Sequence, residues 1–338
     1  MKSIVLPPLS LLYGAVTRTR LSLYRRGTFQ TTRLDRPVIS IGNITTGGTG
    51  KTPLVEYVAR LIAAQGKKVC ILTRGYGRKD PHLQVIVSDG YGVLASPSEA
   101  GDEPYLLATR LKGMAAVISS ADRIAAGREA IKDFGTECFV LDDGFQHLRV
   151  ARDLNIVTID ATNPWGGGRL LPHGRLRESL DGLRRADCAV ITRCDQVESV
   201  SKLREEVAQL INGRPVFESQ MKMVRVVALK NGGEAIEAPK RVAAFCAVGN
   251  PRSFFAKLKQ AGYEVHLEKA FQDHHVYSQD EIDSIIKETR AEALITTAKD
   301  AVKLRTLSFS IPCYVMEIEI AIDDHEGFGQ LVSNAAGV

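Results

Sequence analysis

Residues 37–53 read Pro-Val-Ile-Ser-Ile-Gly-Asn-Ile-Thr-Thr-Gly-Gly-Thr-Gly-Lys-Thr-Pro. The β-branched start of this stretch, Val38, Ile39 and Ile41, predicts a buried strand. A glycine-rich loop follows, and Gly50-Lys51-Thr52 stands just before an apolar-periodic segment that predicts a helix. A strand, a phosphate-binding loop and a helix in this order predict a P-loop NTPase-like α/β fold.

The loop residues have separate tasks in such a site. Glycines let the backbone N–H groups turn inward around phosphate oxygens, where a Cβ would obstruct the approach. The helix adds its positive end, Lys51 reaches the β- and γ-phosphates, and the Thr52 hydroxyl binds Mg²⁺. The predicted nucleotide-binding residues are Thr46, Gly47, Gly48, Thr49, Gly50, Lys51 and Thr52.

The loop departs from the strict pattern G-x-x-x-x-G-K-[ST], because Thr45 stands at the first glycine. Gly47 and Gly48 give Gly-Gly-x-Gly-Lys-Thr instead. A class of ATPases and GTPases uses this form and normally carries a second lysine at the position of Thr46.

The composition is that of a soluble globular protein, with 338 residues, 44% apolar and 25% charged. This excludes disordered and collagen-like chains. The six cysteines lie mostly in or beside apolar runs without a C-x-x-C pair. We therefore expect reduced core cysteines in a cytosolic protein.

Positive charge concentrates in residues 1–36, which hold seven Lys or Arg against one acid. The apolar run there is too short to span a membrane and is broken by Pro7-Pro8. Residues 1–30 predict an amphipathic helix that lies on an anionic membrane surface, and nucleic acid is not an expected partner. A helix that packs on the protein's own core is the open alternative. The apolar residues that fall largely on one helical face are Leu9, Leu12, Tyr13, Val16, Leu23 and Tyr24.

Alternating predicted strands and helices imply a mostly parallel sheet with helices on both faces. Strict alternation replaces this pattern at 216–229 and 311–320, and Lys230-Asn231-Gly232-Gly233 interrupts it. We expect a nucleotide-binding core domain over 31–220 and a smaller α/β domain over 221–338, joined by a β-ribbon.

Two acidic pairs follow or precede predicted elements. Asp142-Asp143 ends an apolar run, where nucleotide-binding sheets place the carboxylates that organise Mg²⁺. Gly101-Asp102-Glu103-Pro104 opens a helix, and Asp102 is a candidate for accepting a proton from an acceptor hydroxyl. A favourable interaction with the helix dipole is the alternative explanation.

Basic residues supply further candidates. Arg123, Arg175 and Arg177 lie near predicted strand ends or in a glycine-rich loop, where arginines could bind phosphate bidentately or remain solvated. His274-His275 follows Asp273, and adjacent histidines diverge on most backbones, so a two-histidine metal site is not expected. One histidine hydrogen-bonded to a carboxylate is the better interpretation.

Taken in order, these motifs resemble the lipid A 4′-kinase family, the tetraacyldisaccharide 4′-kinases of Gram-negative bacteria. The resemblance covers nearly the whole chain. It is carried by Gly42-Asn43 and Gly47-Gly48-Thr49-Gly50-Lys51-Thr52-Pro53, Thr73-Arg74-Gly75-Tyr76-Gly77, Gly101-Asp102-Glu103-Pro104, Asp142-Asp143-Gly144-Phe145-Gln146-His147, Gly174-Arg175-Leu176-Arg177-Glu178, Gly249-Asn250-Pro251, Asp273-His274-His275 and Thr296-Thr297-Ala298-Lys299-Asp300.

The resemblance implies transfer of the ATP γ-phosphate to the 4′-hydroxyl of a tetraacylated glucosamine disaccharide 1-phosphate. The cofactors would be ATP and Mg²⁺, and the enzyme would be peripheral at the cytoplasmic face of the inner membrane, without an obligate protein partner. Asp102 would be the catalytic base, supported by His274 or alternatively His275, with Lys51 at the phosphates. Thr52, Asp142 and Asp143 would organise Mg²⁺, and the substrate would be contacted by Arg74, Tyr76, Arg123, Arg175 and Arg177.

A nucleotide switch or a metallochaperone-type GTPase is the rival interpretation of the phosphate loop. It calls for a guanine-selecting N-K-x-D or a C-x-x-C metal relay, and the sequence contains neither.

Overall fold

The computed structural model describes residues 2–230 and 237–338. Within them, twelve strands form one sheet in the order β10-β9-β11-β12-β8-β7-β6-β1-β5-β2-β4-β3. The strands are β1 Val38–Gly42, β2 Val69–Thr73, β3 Val85–Asp89, β4 Ala115–Ser119, β5 Cys138–Asp142, β6 Leu154–Asp160, β7 Cys188–Thr192, β8 Val216–Ala228, β9 Arg241–Cys246, β10 Glu264–Ala270, β11 Ala293–Thr297 and β12 Cys313–Ile322.

The helices connect these strands and cover the sheet. They are α1 Lys2–Arg25, α2 Lys51–Ala64, α3 Pro97–Ala100, α4 Asp102–Arg110, α5 Arg123–Phe134, α6 Ser201–Leu210, α7 Pro251–Gln260, α8 Gln279–Glu288, α9 Ala298–Leu304 and α10 His325–Ala336. The pairs β3–β4 and β8–β12 are antiparallel, whereas neighbours such as β1–β5, β1–β6 and β9–β11 are parallel. The mostly parallel sheet predicted from the sequence is confirmed.

Alternate residues of the central strands enter different hydrophobic cores, because successive strand side chains point to opposite faces. Ile71 packs in one core with Val58 of α2, and its neighbour Leu72 packs in another with Ala126 of α5. The second half of the chain repeats this division, with Phe245 in a core that includes Ile282 of α8. Helices therefore cover both faces, as predicted.

The long strand β8 joins the two halves of the sheet. Its first residues pair in parallel with β7, and the rest pairs antiparallel with β12 from Ser219–Ile322 to Ala228–Tyr314. The ribbon predicted from 216–229 and 311–320 thus forms. The predicted break at Asn231-Gly232-Gly233 lies outside the described residues, and the division into two domains stays a prediction.

Helix α1 lies along the body of the protein through small and hydroxyl-bearing residues. Tyr13 Oη donates to the Arg177 carbonyl at 2.9 Å, and Ser10 Oγ donates to the Leu171 carbonyl at 3.1 Å. A Cβ on Gly14 would come within 2.7 Å of Leu170 Cδ1, so glycine permits the close approach.

The other face of α1 is apolar and exposed. Leu11, Leu12 and Val16 are 71%, 62% and 58% exposed, and Leu9 is exposed as well. One face of α1 therefore packs on the protein itself, and the membrane-surface role of its exposed face stays a prediction. None of the helices in residues 2–230 and 237–338 has the length and apolar content needed to cross a bilayer.

Candidate active site

The phosphate loop bridges β1 and α2 in a shape that glycine makes possible. Gly47 and Gly50 have φ angles of 113° and 80°, a region that side-chain-bearing residues rarely adopt. Thr49 is buried, and its hydroxyl is fixed by Asn43 Nδ2 and Thr158 Oγ1, both at 2.9 Å. Buried hydrogen bonds thus hold the loop in place before any ligand arrives.

A cavity of about 280 Å³ opens in front of this loop. Its polar lining consists chiefly of Gly47, Gly48, Thr49, Gly50, Lys51, Thr52, Arg74, Tyr76, Glu103, Asp142, Asp143, Arg177, Asp273, His274 and Lys299. An apolar part is formed by Pro53, Met221, Phe254, Met316 and Ile318. The cavity therefore joins residues from both halves of the chain.

One predicted loop residue does not reach this cavity. Thr46 is outside the lining, and its backbone N–H donates to the Arg175 carbonyl at 2.8 Å. Gly47 to Thr52 do line the cavity, so the structure brings together six of the seven predicted nucleotide-binding residues.

The two acids at the end of β5 differ in their surroundings. Asp142 is buried and accepts from Thr73 Oγ1 at 3.0 Å, and burial together with the charges of Glu103 and Asp143 raises its pKa to about 7. Burial also disfavours ionisation of Asp143, but Lys51 and Arg177 outweigh it and lower the pKa. Lys51 Nζ lies 3.5 Å from Asp143 Oδ1, and Arg177 Nη1 lies 2.8 Å from Oδ2.

The donor atoms near these acids suit a hard cation. Asp142 Oδ1 is buried, and no residue that the structure describes hydrogen-bonds to it. Mg²⁺ prefers oxygen ligands and is commonly held by one or two carboxylates together with substrate phosphates. In the described part of the chain, no group of three or more His, Cys, Asp or Glu side chains is placed to hold a metal ion by itself.

A second acidic pair opens α4. Asp102 Oδ2 lies 3.4 Å from His274 Nδ1 and 3.1 Å from Lys303 Nζ. Burial raises the pKa of Asp102, yet His274 and Lys303 outweigh this and lower it overall. Asp102 does not line the cavity itself and contacts it through His274.

His275 has other partners. Its Nε2 lies 3.0 Å from Glu281, and its ring stacks on Phe271 with centroids 4.7 Å apart. Of the two histidines between which the sequence left the choice open, His274 is the one that lies beside Asp102.

The predicted arginine set divides in two. Arg177 lines the cavity, as do Arg74 and Tyr76, and the Arg74 guanidinium stacks 5.4 Å from the Tyr76 ring centroid. Arg123 is buried beside the His147 ring at 3.5 Å, and Arg175 is exposed. Neither Arg123 nor Arg175 lines the cavity.

Four charged residues at the site received no role from the sequence: Glu103, Asp273, Lys299 and Lys303. Lys299 Nζ lies 2.9 Å from Glu103 Oε1 and 3.0 Å from Asp273 Oδ1, and Thr52 Oγ1 donates to Glu103 Oε2 at 3.4 Å. A signal existed: Lys299 and Lys303 are four residues apart directly after a strand, a spacing that aligns both on one helical face.

The chain is similar in sequence to known proteins. The family model described as LpxK, tetraacyldisaccharide-1-P 4′-kinase, matches residues 2–336. A tetraacyldisaccharide 4′-kinase of Geobacter metallireducens is 43% identical over 307 residues, which cover 89% of this chain and 88% of that protein. One of Desulfotalea psychrophila is 39% identical over 312 residues, covering 91% and 89%.

A solved structure extends the likeness to three dimensions. The "apo" form of LpxK from Aquifex aeolicus in complex with ATP superposes with a TM-score of 0.78 at 33% identity, covering 97% of both chains. The fold class and the resemblance predicted from the motifs are confirmed. From its sequence match and its fold together, the chain belongs to the tetraacyldisaccharide-1-P 4′-kinase family.

Proposed function

We propose that this protein is an ATP-dependent lipid kinase that transfers the γ-phosphate of ATP to the 4′-hydroxyl of a tetraacylated glucosamine disaccharide 1-phosphate, forming lipid IVA. Family membership supports the reaction, and the Aquifex relative was solved with ATP. The observation that carries the proposal is that the phosphate loop and His274, the hydrogen-bond partner of Asp102, line the same cavity.

The loop and the cavity would hold the nucleotide. The backbone N–H groups of residues 47–52 and the Lys51 ammonium would bind the phosphates, and the apolar side chains around Met221 and Phe254 suit a nucleoside base. Thr52, Asp142 and Asp143 would hold Mg²⁺, which neutralises charge on the transferring phosphoryl group.

Asp102 would accept the proton of the 4′-hydroxyl, and His274 would orient its carboxylate. Phosphoryl transfer needs positioning and charge stabilisation more than covalent chemistry, and a well-placed base contributes typically 10²- to 10⁴-fold. We propose that 31–220 and 221–338 act as two domains that together exclude water, which would otherwise accept the phosphoryl group.

The acceptor would be held by cationic and aromatic residues at the cavity mouth. Arg177 has the strongest support because it lines the cavity and ion-pairs with Asp143. Arg74 and Tyr76 also line it, whereas Arg123 and Arg175 would have to contact parts of the disaccharide phosphate that extend beyond it.

The substrate's acyl chains would keep it in a membrane, and the exposed apolar face of α1 would bring the enzyme there. Leu12 and Val16 would enter the interface while the basic residues near the N-terminus face anionic head groups. We propose a peripheral location at the cytoplasmic face of the inner membrane, without an obligate protein partner.

Acceptor dependence tests the function against its rival. ATP consumption is measured with and without the tetraacylated disaccharide 1-phosphate in detergent. A lipid kinase consumes ATP only with the acceptor and transfers phosphate to it. Hydrolysis of ATP or GTP at the same rate without acceptor would instead identify a nucleotide switch.

A further inference from the structure

Lys303 of α9 is a buried cation that contacts Asp102 and the backbone of His275, the residue after His274. Its side chain is 8% exposed, and its Nζ lies 3.1 Å from Asp102 Oδ2. The same Nζ donates to the His275 carbonyl at 2.9 Å and lies 4.0 Å from Asp300 Oδ1. A buried ammonium held by two acids and a carbonyl is fixed in position.

Residues 271–278, which connect β10 to α8 and carry His274 and His275, form a loop that we call the histidine loop. Lys303 contacts this loop, and its backbone is strained. His274 has a φ of 65°, which non-glycine residues adopt rarely and at a cost. Lys303 holds the loop through the His275 carbonyl, and Lys299 lies 3.3 Å from His274 Nε2. The lysine face of α9 thus contacts the histidine loop at two points.

We propose that Lys303 is a positioning residue for phosphoryl transfer. It fixes the Asp102 carboxylate and the histidine loop relative to each other. This rests on the proposed function, in which Asp102 is the base. Lys303 and His274 both engage Oδ2. Because both contacts are to Oδ2, Oδ1 would be the oxygen that accepts the hydroxyl proton.

The charges around Asp102 set the direction of its pH response. Lys303 faces it from α9 and His274 from the loop before α8, while Glu103 is adjacent on α4 and pairs with Lys299. On the loop after β2, the Arg78 guanidinium donates hydrogen bonds to the carbonyl oxygens of Ser119 and Pro81. Removing the Lys303 cation raises the pKa of Asp102, and a base works only when deprotonated. The acidic limb of the activity profile should therefore move to higher pH.

The test compares Lys303→Met and Lys303→Gln with the wild-type full-length enzyme, using ATP and the detergent-solubilised disaccharide. Lys287→Met is the matched control, because Lys287 is an exposed lysine on neighbouring α8. We expect kcat at pH 7 to fall about 10- to 100-fold in the Lys303 variants, with the KM for ATP within about twofold. The deficit should shrink as pH rises, and the control should match the wild type.

A double-mutant cycle separates positioning from folding. If Lys303 acts through Asp102, Lys303→Gln should cost little further activity in an Asp102→Asn background. Three results would each overturn the role of Lys303 while leaving the kinase activity standing. They are a full additional loss of activity in the Asp102→Asn background, an acidic limb of the pH profile that does not move, and a normal kcat in the Lys303 variants. A wild-type enzyme that fails to phosphorylate the disaccharide would overturn the proposed function itself, and this inference with it.

Discussion

Gly249 lies so close to Gly48 that a Cβ on Gly249 would come within 2.2 Å of the Gly48 nitrogen. The neighbouring atoms are backbone of the phosphate loop, which cannot swing aside as a flexible side chain could. Gly249 precedes α7 in the second half of the chain. The contact therefore brings that half directly against the nucleotide site.

A methyl group at this contact should disturb nucleotide binding. Gly249→Ala forces the two loops apart, and overpacking of this kind typically costs about 1–3 kcal/mol. We expect the Kd for ATP, measured by calorimetry, to rise about tenfold. Gly92→Ala is the control, because a Cβ there meets nothing within 4 Å. Equal ATP affinity in both variants would show that the contact does not shape the site.

Arg177 and Arg175 form a natural comparison. Arg177 bonds to both oxygens of Asp143 at 2.9 and 2.8 Å, whereas Arg175 is exposed and lies outside the cavity. Arg177→Gln should therefore lower kcat/KM for the disaccharide by about 10²-fold, the loss expected when a charged partner is removed from a buried acid. Arg175→Gln should lower it less. A larger loss in the Arg175 variant would reverse this assignment.

The stability of the fold should depend on pH through His147. Burial and the charges of Arg123 and Arg152 lower the pKa of His147 to about 3, so the folded protein keeps the ring neutral. An unfolded histidine titrates near pH 6.5, so this contribution is complete above that pH and is lost progressively as pH falls toward 3.

Denaturant unfolding at pH 8 and pH 5 measures the effect. The wild-type free energy of unfolding should fall between these pH values by about 1–2 kcal/mol more than that of His147→Gln, which has no ring to protonate. The same decrease in both proteins would mean that other groups account for the acid sensitivity.

Membrane attachment can be tested at residues that do not support the fold. Replacing Leu12 and Val16 with serine should weaken binding to anionic vesicles about tenfold or more, because each buried aliphatic side chain contributes about 1.5–3 kcal/mol. The control replaces Leu83 and Leu94, each 60% exposed and distant in sequence from α1. Sedimentation with vesicles gives the bound fraction, and equal binding of the two variants would contradict the interfacial role of α1.

Features encoded locally could be predicted from the sequence. The phosphate loop depends on glycines and a lysine within a few residues, and Asp142-Asp143 was recognisable as the end of an apolar strand. The alternation of predicted helices and strands was likewise enough to predict the mostly parallel sheet. In each case the determining contacts lie within one supersecondary unit, so pattern alone is informative.

Contacts between distant segments could not be predicted from pattern. Asp102 and His274 are 172 positions apart, and Lys303 meets Asp102 only because α9 packs against α4. Thr46 was predicted to bind nucleotide from its place in the loop, yet its N–H donates to the carbonyl of Arg175, 129 positions later. The resemblance supplied the Asp102–His274 pairing, whereas the lysines around it required the three-dimensional structure.

In the proposed reaction, this chain phosphorylates the 4′-hydroxyl of the disaccharide with Asp102 as base. The most direct measurement incubates ATP and acceptor with the wild type and with Asp102→Ala, and locates the product phosphate by ³¹P–¹H correlation. We expect a 4′-phosphomonoester from the wild type and a kcat at least about 10²-fold lower for Asp102→Ala, with ATP affinity retained. Phosphate at another position, or near-normal turnover by Asp102→Ala, would contradict it.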